Sequence, residues 1–262
     1  MHGDTRHVYH YLHRGPLLNI HLLSHMPKGG TMLGVIGTSD KTPLTIGTGN
    51  REMHPVLLSL ANIDPGVHMK ATSHSFVLAA YLPILKFINV TAPVQAALAA
   101  QVYHSCLNII TENLQCAACD GVKLTDPQGC VCICYTLLIS WNTDLPEQWL
   151  ITAVLQSQSP VSEATSNDFG DGPDDQGWPP YDCRDCDGTM QHICDAVTKM
   201  DPNNVPQFVK TCEPYGLIGV HQPFWQDWGK PDVGNGVLMA CPLYFLTPDA
   251  LHQWHKFFLT TL

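Results

Sequence analysis

Two apolar runs of strand length, far apart in the chain, each end on an aspartate. The first is TMLGVIGTS (Thr31–Ser39), closed by Asp40. The second is CVCICYTLLISW (Cys130–Trp141), followed by Asn142, Thr143 and Asp144. Runs this apolar, rich in β-branched residues and bounded by turn residues, read as strands covered on both faces. Such strands place the chain in the α/β class. Each aspartate has two readings. It is a turn or cap residue closing its strand, or a carboxylate delivered to the sheet's edge to hold a metal.

The segments between them give an order. Thr42–Gly49 reads as a second strand, short and glycine-broken, and His54–Ile63 as a third. Ser75–Phe87 fits either a strand or a helix, and Pro83 limits a helix there. Thr91 then stands as an N-cap with Pro93 in the first turn. Val94, Leu98, Val102, Cys106, Ile109 and Ile110 recur at helical spacing, so a helix is predicted over Ala92–Leu114. Asp126–Gly129 (DPQG) is a turn, and Leu145–Leu155 reads as a helix with Pro146 in its first turn. Three strands, a helix, a strand and a helix is the order a ribonuclease-H-like sheet requires. In that sheet carboxylates from the first and fourth strands meet side by side.

The expected fold is therefore a ribonuclease-H-like mixed sheet with flanking helices, interrupted by an acidic, cysteine-bearing insertion. Residues 1–29 read as an irregular, histidine-rich tail, 30–155 as the core, and 156–262 as the insertion and C-terminal part. The insertion opens with an aspartate-rich loop over Asp168–Asp187. Asp201–Cys212 holds a short helix capped near Asn203. FLTPDALHQWHKFFLTTL reads as a helix starting after Pro248, with Leu251, Trp254, Phe257 and Phe258 as its apolar face.

The net charge of −10 and a charged fraction of only 14% argue against a stand-alone nucleic-acid binder, whose phosphate contacts need clustered Lys and Arg. They leave room for a site that collects cations. Lys41, Arg51 and Lys70 are candidates for phosphate contact or plain surface charges. No apolar stretch is long enough to span a membrane. The N-terminus lacks the order of a signal peptide, so the 11 cysteines read as thiols or metal ligands rather than a disulfide frame. The local metal signal is CRDCDGTMQHIC, in which Cys183, Cys186, His192 and Cys194 supply the N and S donors zinc takes tetrahedrally. The competing reading is free thiols on a loop. Cys130, Cys132 and Cys134 alternate along a strand and read as small apolar residues on one face. PFWQDW (Pro223–Trp228) reads as core in preference to a base-stacking platform.

Six blocks carry a resemblance: GTMLGVIGTSDKT, HPVLLSLANI, LAAYLPILKF, SPVSEATSNDFGD, GLIGVHQPFWQDW and TPDALHQWHKFF. In order and spacing, from Gly30 to the last residue, the chain resembles the transposases of fungal Plavaka transposons. These are relatives of the CACTA and Kyakuja–Dileera–Zisupton groups. The resemblance implies a DDE-type nuclease that cuts transposon ends and joins the 3′-hydroxyl to target DNA, using Mg²⁺ ions in a two-metal site. It implies transposon-end DNA as partner and, from that task alone, a nuclear location. By motif, Asp40 in SDKT matches the first catalytic aspartate and Asp144 in NTDLPEQ the second. Asp249 in TPDALHQ is the runner-up. The resemblance places the third carboxylate on a helix beyond Leu262, so the chain is expected to be a truncated and inactive transposase. Were it active, Asp249 or Glu147 would have to complete the site. The alternative is a noncatalytic zinc-bearing scaffold or DNA-docking remnant. Nothing in the sequence sets an oligomeric state.

Overall fold

The computed structural model describes residues 29–45, 51–68, 70–168, 182–228 and 240–247. Strand β1 (Gly30–Ser39) has no exposed residue along its length, as its apolar run requires. It is the centre of a mixed sheet. On one side it pairs antiparallel with β4 (Pro55–Leu60), which pairs antiparallel with β5 (Val77–Tyr81). On the other side it pairs parallel with β7 (Val131–Asn142). The far edge of β7 is shared. Strand β6 (Val122–Thr125) runs antiparallel to its first half, and β8 (Leu246–Thr247) runs parallel to Trp141 and Asn142. The strand order is β5-β4-β1-β7-β6, with β8 beside β6 along the same edge.

Three strands of the main sheet precede the long helix, though not the three the sequence suggested. Of Thr42–Gly49, residues 42–45 are described, and they contribute β2 (Thr42–Pro43), which pairs with β3 (Glu52–Met53) in a two-stranded ribbon off the main sheet. Pro43 lacks the N–H a sheet ladder needs. The ambiguous Ser75–Phe87 segment supplies the third strand instead, as the mostly exposed edge strand β5. Helix α1 (Ala92–Asp120) runs past Leu114, burying Ala117 and Ala118. It stops where Gly121 takes φ 71°, a conformation that favours glycine. The hairpin strand β6 follows at once. The DPQG turn behind it is closed by Asp126 Oδ1, which accepts from the Gln128 and Cys130 N–H groups at 2.9 and 2.8 Å. Of the three alternating cysteines only Cys134 is buried.

Helix α2 (Leu145–Thr152) follows β7 and ends at Ala153. The main core then draws on both halves of the chain. Val35, Val56, Tyr103, Leu107, Leu138, Trp141 and Ile151 pack with Phe224, Trp225, Trp228 and Phe245. The Phe224 ring lies 5.4 Å from that of Trp141, and Trp225 Nε1–H donates to the Ile151 carbonyl at 2.7 Å. The aromatics of PFWQDW are thus core residues. His104 stitches the same layers. It is fully buried, and burial lowers its pKa to about 4. It is therefore neutral, with Nε2–H donating to the Leu150 carbonyl at 2.8 Å and Nδ1 accepting from the Phe224 N–H at 3.1 Å. A second cluster joins α3 (Cys186–Lys199) to α4 (Val205–Cys212) through Ile193, Ala196, Phe208, Cys212 and Leu217. Asn204, one residue after the expected cap, occupies the N-cap position of α4.

Among the described residues no helix is long and apolar enough to cross a membrane. The N-terminal tail, residues 46–49, most of the aspartate-rich loop, Asp249 and the segment expected as a terminal helix lie outside the described residues.

Gly37 has a steric task in β1. A Cβ there would meet Trp141 Cε3 at 2.3 Å, so only glycine lets the indole lie across the strand. Gly37→Ala is expected to lower unfolding free energy by about 2 kcal/mol, an overpacking cost, measurable as a shifted urea midpoint at unchanged m-value. A midpoint equal to wild type would contradict the tight contact.

Candidate active site at the ends of β1 and β7

The parallel register of β1 and β7 sets the geometry. It runs from Gly30 opposite Ile133 to Thr38 opposite Asn142, with a bulge after Val35 that takes up one extra residue in β7. Ser39 is the last residue of β1. Carrying the register two residues beyond Thr38 and Asn142 brings Asp40 across from Asp144. Both aspartates therefore stand just past the same end of neighbouring strands.

Their environments differ. Asp40 is exposed, and its Oδ2 accepts from Thr42 Oγ1 at 3.4 Å. Lys41 beside it pairs with Glu52 at 2.8 Å, both partly exposed, a surface pair of small energetic weight. Asp144 is half-buried and is the N-cap of α2. Its Oδ1 accepts the Glu147 N–H at 3.0 Å, and the cap holds the carboxylate in one orientation. The two readings of Asp144 are thus compatible in part, since one oxygen caps while the residue still sits at the strand end.

Behind the aspartates lies a buried polar network that was not foreseen from the sequence. Glu147 is only 4% exposed. Its Oε1 accepts from Ser39 Oγ at 2.5 Å and from Tyr103 OH at 2.6 Å, with His54 Nε2 at 3.0 Å. Trp141 Nε1–H donates to Ser39 Oγ at 2.8 Å. Burial pushes the Glu147 carboxyl up, but the hydrogen bond and charge of His54, with Ser39 and Tyr103, outweigh it and hold it below the usual value. Burial, and then the charge of Glu147, push the Tyr103 phenol well above its usual range. A carboxylate facing three donors is ionised. His54 and Tyr103 also form the inner wall of a cavity of about 180 Å³, with Leu82, Ile84 and Leu150 as apolar sides and Lys41 nearby. One local signal pointed to Glu147: Asp-x-x-Glu at a helix start is a capping-box pattern. That pattern turns the glutamate back to the cap residue, whereas here it turns inward.

The four residues read as a zinc set are not brought together. Among the described residues no group of three or more His, Cys, Asp or Glu is placed to hold a metal. Asp185 caps α3, so the CDGTMQHIC stretch is helical from Cys186 onward. His192 and Cys194, two residues apart on a helix, point about 160° away from each other. His192 packs on Tyr215 with ring centroids 5.1 Å apart, while Cys194 and Cys183 are exposed. The Cys186 thiol finds the buried Cys241 thiol instead. Their hydrogen bond raises the pKa of Cys186 and lowers that of Cys241.

No curated protein and no solved structure matches the chain. A family model does, over residues 2–261. That match takes in both strands, the two aspartates at their ends and the core that supports them, and the chain belongs to the Plavaka transposase family.

Proposed function

We propose that the chain is the nuclease and strand-transfer part of a transposase of the DDE type, acting on transposon-end DNA in the nucleus, with Asp40 and Asp144 as two of its acids. The observation that supports this is the register of β1 and β7, adjacent parallel strands paired up to Thr38 and Asn142, each followed two residues later by a motif aspartate. The sheet supports a ribonuclease-H-like reading. Its first three strands are antiparallel neighbours, β7 lies parallel to β1 on the other side, and β8 continues parallel to β7. Residues between α2 and β8 would then be the insertion.

The donor set fits a hard divalent cation. Mg²⁺ keeps several waters and takes one or two carboxylates together with phosphate oxygens, and Asp40 and Asp144 are such a pair. Bound there, the ion would polarise the scissile phosphate and ease deprotonation of the attacking group. The chain's own part is to hold the carboxylates still. The α2 cap fixes Asp144, and the paired strands fix the backbone on either side.

By itself the chain is an incomplete enzyme. No third acid joins the pair among the described residues, one Asp144 oxygen accepts from the backbone, and the net charge of −10 opposes DNA. Two tests follow. Mn²⁺ titration of the purified chain is expected to detect one site, weakened roughly tenfold or more by Asp40→Ala, because affinity follows ligand charge count. Asp144→Asn, which keeps the cap, is expected to weaken it similarly. Unchanged Mn²⁺ binding in both variants would overturn the site. Incubated with DNA carrying the element's own ends and Mg²⁺ or Mn²⁺, the chain is expected to leave the DNA intact. Metal-dependent cleavage abolished by Asp40→Ala would overturn the incompleteness and mean that another acid, Asp249 or Glu147, finishes the centre.

A further inference from the structure

We infer that Glu147 is the positioning residue of this site, its backbone N–H holding the Asp144 carboxylate and its buried side chain anchoring Ser39, the residue before Asp40. The inference rests on the Asp40–Asp144 reading and names what holds that pair in place.

Two different atoms of Glu147 reach the two sides. Its backbone N–H donates to Asp144 Oδ1 at 3.0 Å, which sets the rotamer of that carboxylate. Its side-chain Oε1 accepts from Ser39 Oγ at 2.5 Å, and Ser39 immediately precedes Asp40. The side chain is itself immobilised. Tyr103 OH from α1 donates to the same oxygen at 2.6 Å, and His54, next to β4, lies 3.0 Å from it. Ser39 is locked in turn by the indole N–H of Trp141 at 2.8 Å. Residues of β1 and α1 and the residue before β4 thus converge on one carboxylate of α2, with Trp141 of β7 bonded to Ser39 behind it. Held this way, the Asp144 rotamer and the backbone at the end of β1 stay near productive geometry before a cation binds.

Glu147 does not act as a ligand in this arrangement. It is 4% exposed and its Oε1 faces donors on three residues. It works through Ser39 and through the Asp144 cap.

The test is Mn²⁺ affinity of the full chain, measured by titration at a temperature where circular dichroism shows each variant folded. Glu147→Gln keeps volume but puts an amide among donors, and is expected to bind Mn²⁺ roughly tenfold more weakly, the usual scale for an outer-shell change. Ser39→Ala removes only the link to the β1 end and is expected to weaken binding in the same direction. Phe208→Leu, in the α3–α4 cluster, is the control: it lowers stability but is expected to leave Mn²⁺ affinity at the wild-type value. Loss of affinity in Phe208→Leu equal to that in Glu147→Gln would reduce the effect to general stability and overturn the inference. So would wild-type affinity in both Glu147→Gln and Ser39→Ala while Asp40→Ala loses it, an outcome that leaves the site itself standing. Wild-type affinity in Asp40→Ala would instead remove the site on which the inference rests.

Discussion

Replacing Glu147 with alanine is expected to lower the unfolding free energy by about 4 kcal/mol at neutral pH. Removing one partner of a buried, charge-bearing network costs about 3–5 kcal/mol, because the donors left behind are desolvated without an acceptor. Here Ser39, Tyr103 and His54 lose their acceptor at once, and a cavity opens at the start of α2. The effect depends on pH with a definite sign. The folded-state pKa of Glu147 is depressed, so its contribution is present above the unfolded value of about 4.5 and is lost as pH falls through the folded value. The stability gap between wild type and Glu147→Gln should therefore be full near pH 7 and should shrink only on acidification below about 4.5. Thermal or denaturant unfolding at both ends of this range reads it directly. A gap that widens in acid would mean Glu147 is protonated in the folded protein.

Trp225→Ala is expected to cost a similar amount, about 4 kcal/mol, the upper part of the range for truncating a core aromatic. Trp225 is 1% exposed, packs in the main core, and donates its indole N–H to the Ile151 carbonyl. Loss of the ring leaves both a cavity and an orphaned carbonyl at the end of α2. Unfolding of wild type should be a single transition reported alike by far-ultraviolet circular dichroism and by tryptophan fluorescence, since Phe224, Trp225 and Trp228 share one core with β1, β7 and α1. Two separated transitions, or a Trp225→Ala cost below ~1 kcal/mol, would mean that these aromatics pack on the surface of an independent unit.

What could be read in the sequence follows from which interactions are local. Strands β1 and β7 announced themselves, because continuous apolar runs bounded by turn residues have few other solutions, although β7 is buried only from Cys134 onward and Val131 and Ile133 are exposed. Asp40 and Asp144 were legible as strand-end acids for the same reason, and α1 by its spacing. Glu147 was named only as an acid that could complete an active centre, and its place in a capping pattern says nothing of its burial. Its partners Ser39, His54 and Tyr103 lie on other elements, and nothing in one linear pattern says that a carboxylate and a serine so distant will share a proton. Of the strand read over Thr42–Gly49, the described residues keep Thr42–Pro43, in a ribbon off the main sheet where Pro43 lacks a ladder N–H. The zinc set failed to assemble for a geometric reason. Cys-x-x-Cys followed by His and Cys suits a loop that can fold around an ion, but Asp185 starts a helix here, and helical spacing then turns His192 and Cys194 apart. The cap residue was visible in the sequence. It was read as one more loop aspartate because the surrounding acidic run masked it.

The central claim is that Asp40 and Asp144 share a divalent cation at the ends of β1 and β7. The most direct measurement is anomalous diffraction from crystals of the chain soaked in Mn²⁺. The expected result is a manganese peak coordinated by carboxylate oxygens of both residues, at about 2.0–2.3 Å, in the range of oxygen ligands to small divalent ions, and absent in Asp40→Ala crystals. A strand end that stays free of manganese, with the two carboxylates turned away from each other, would contradict the account.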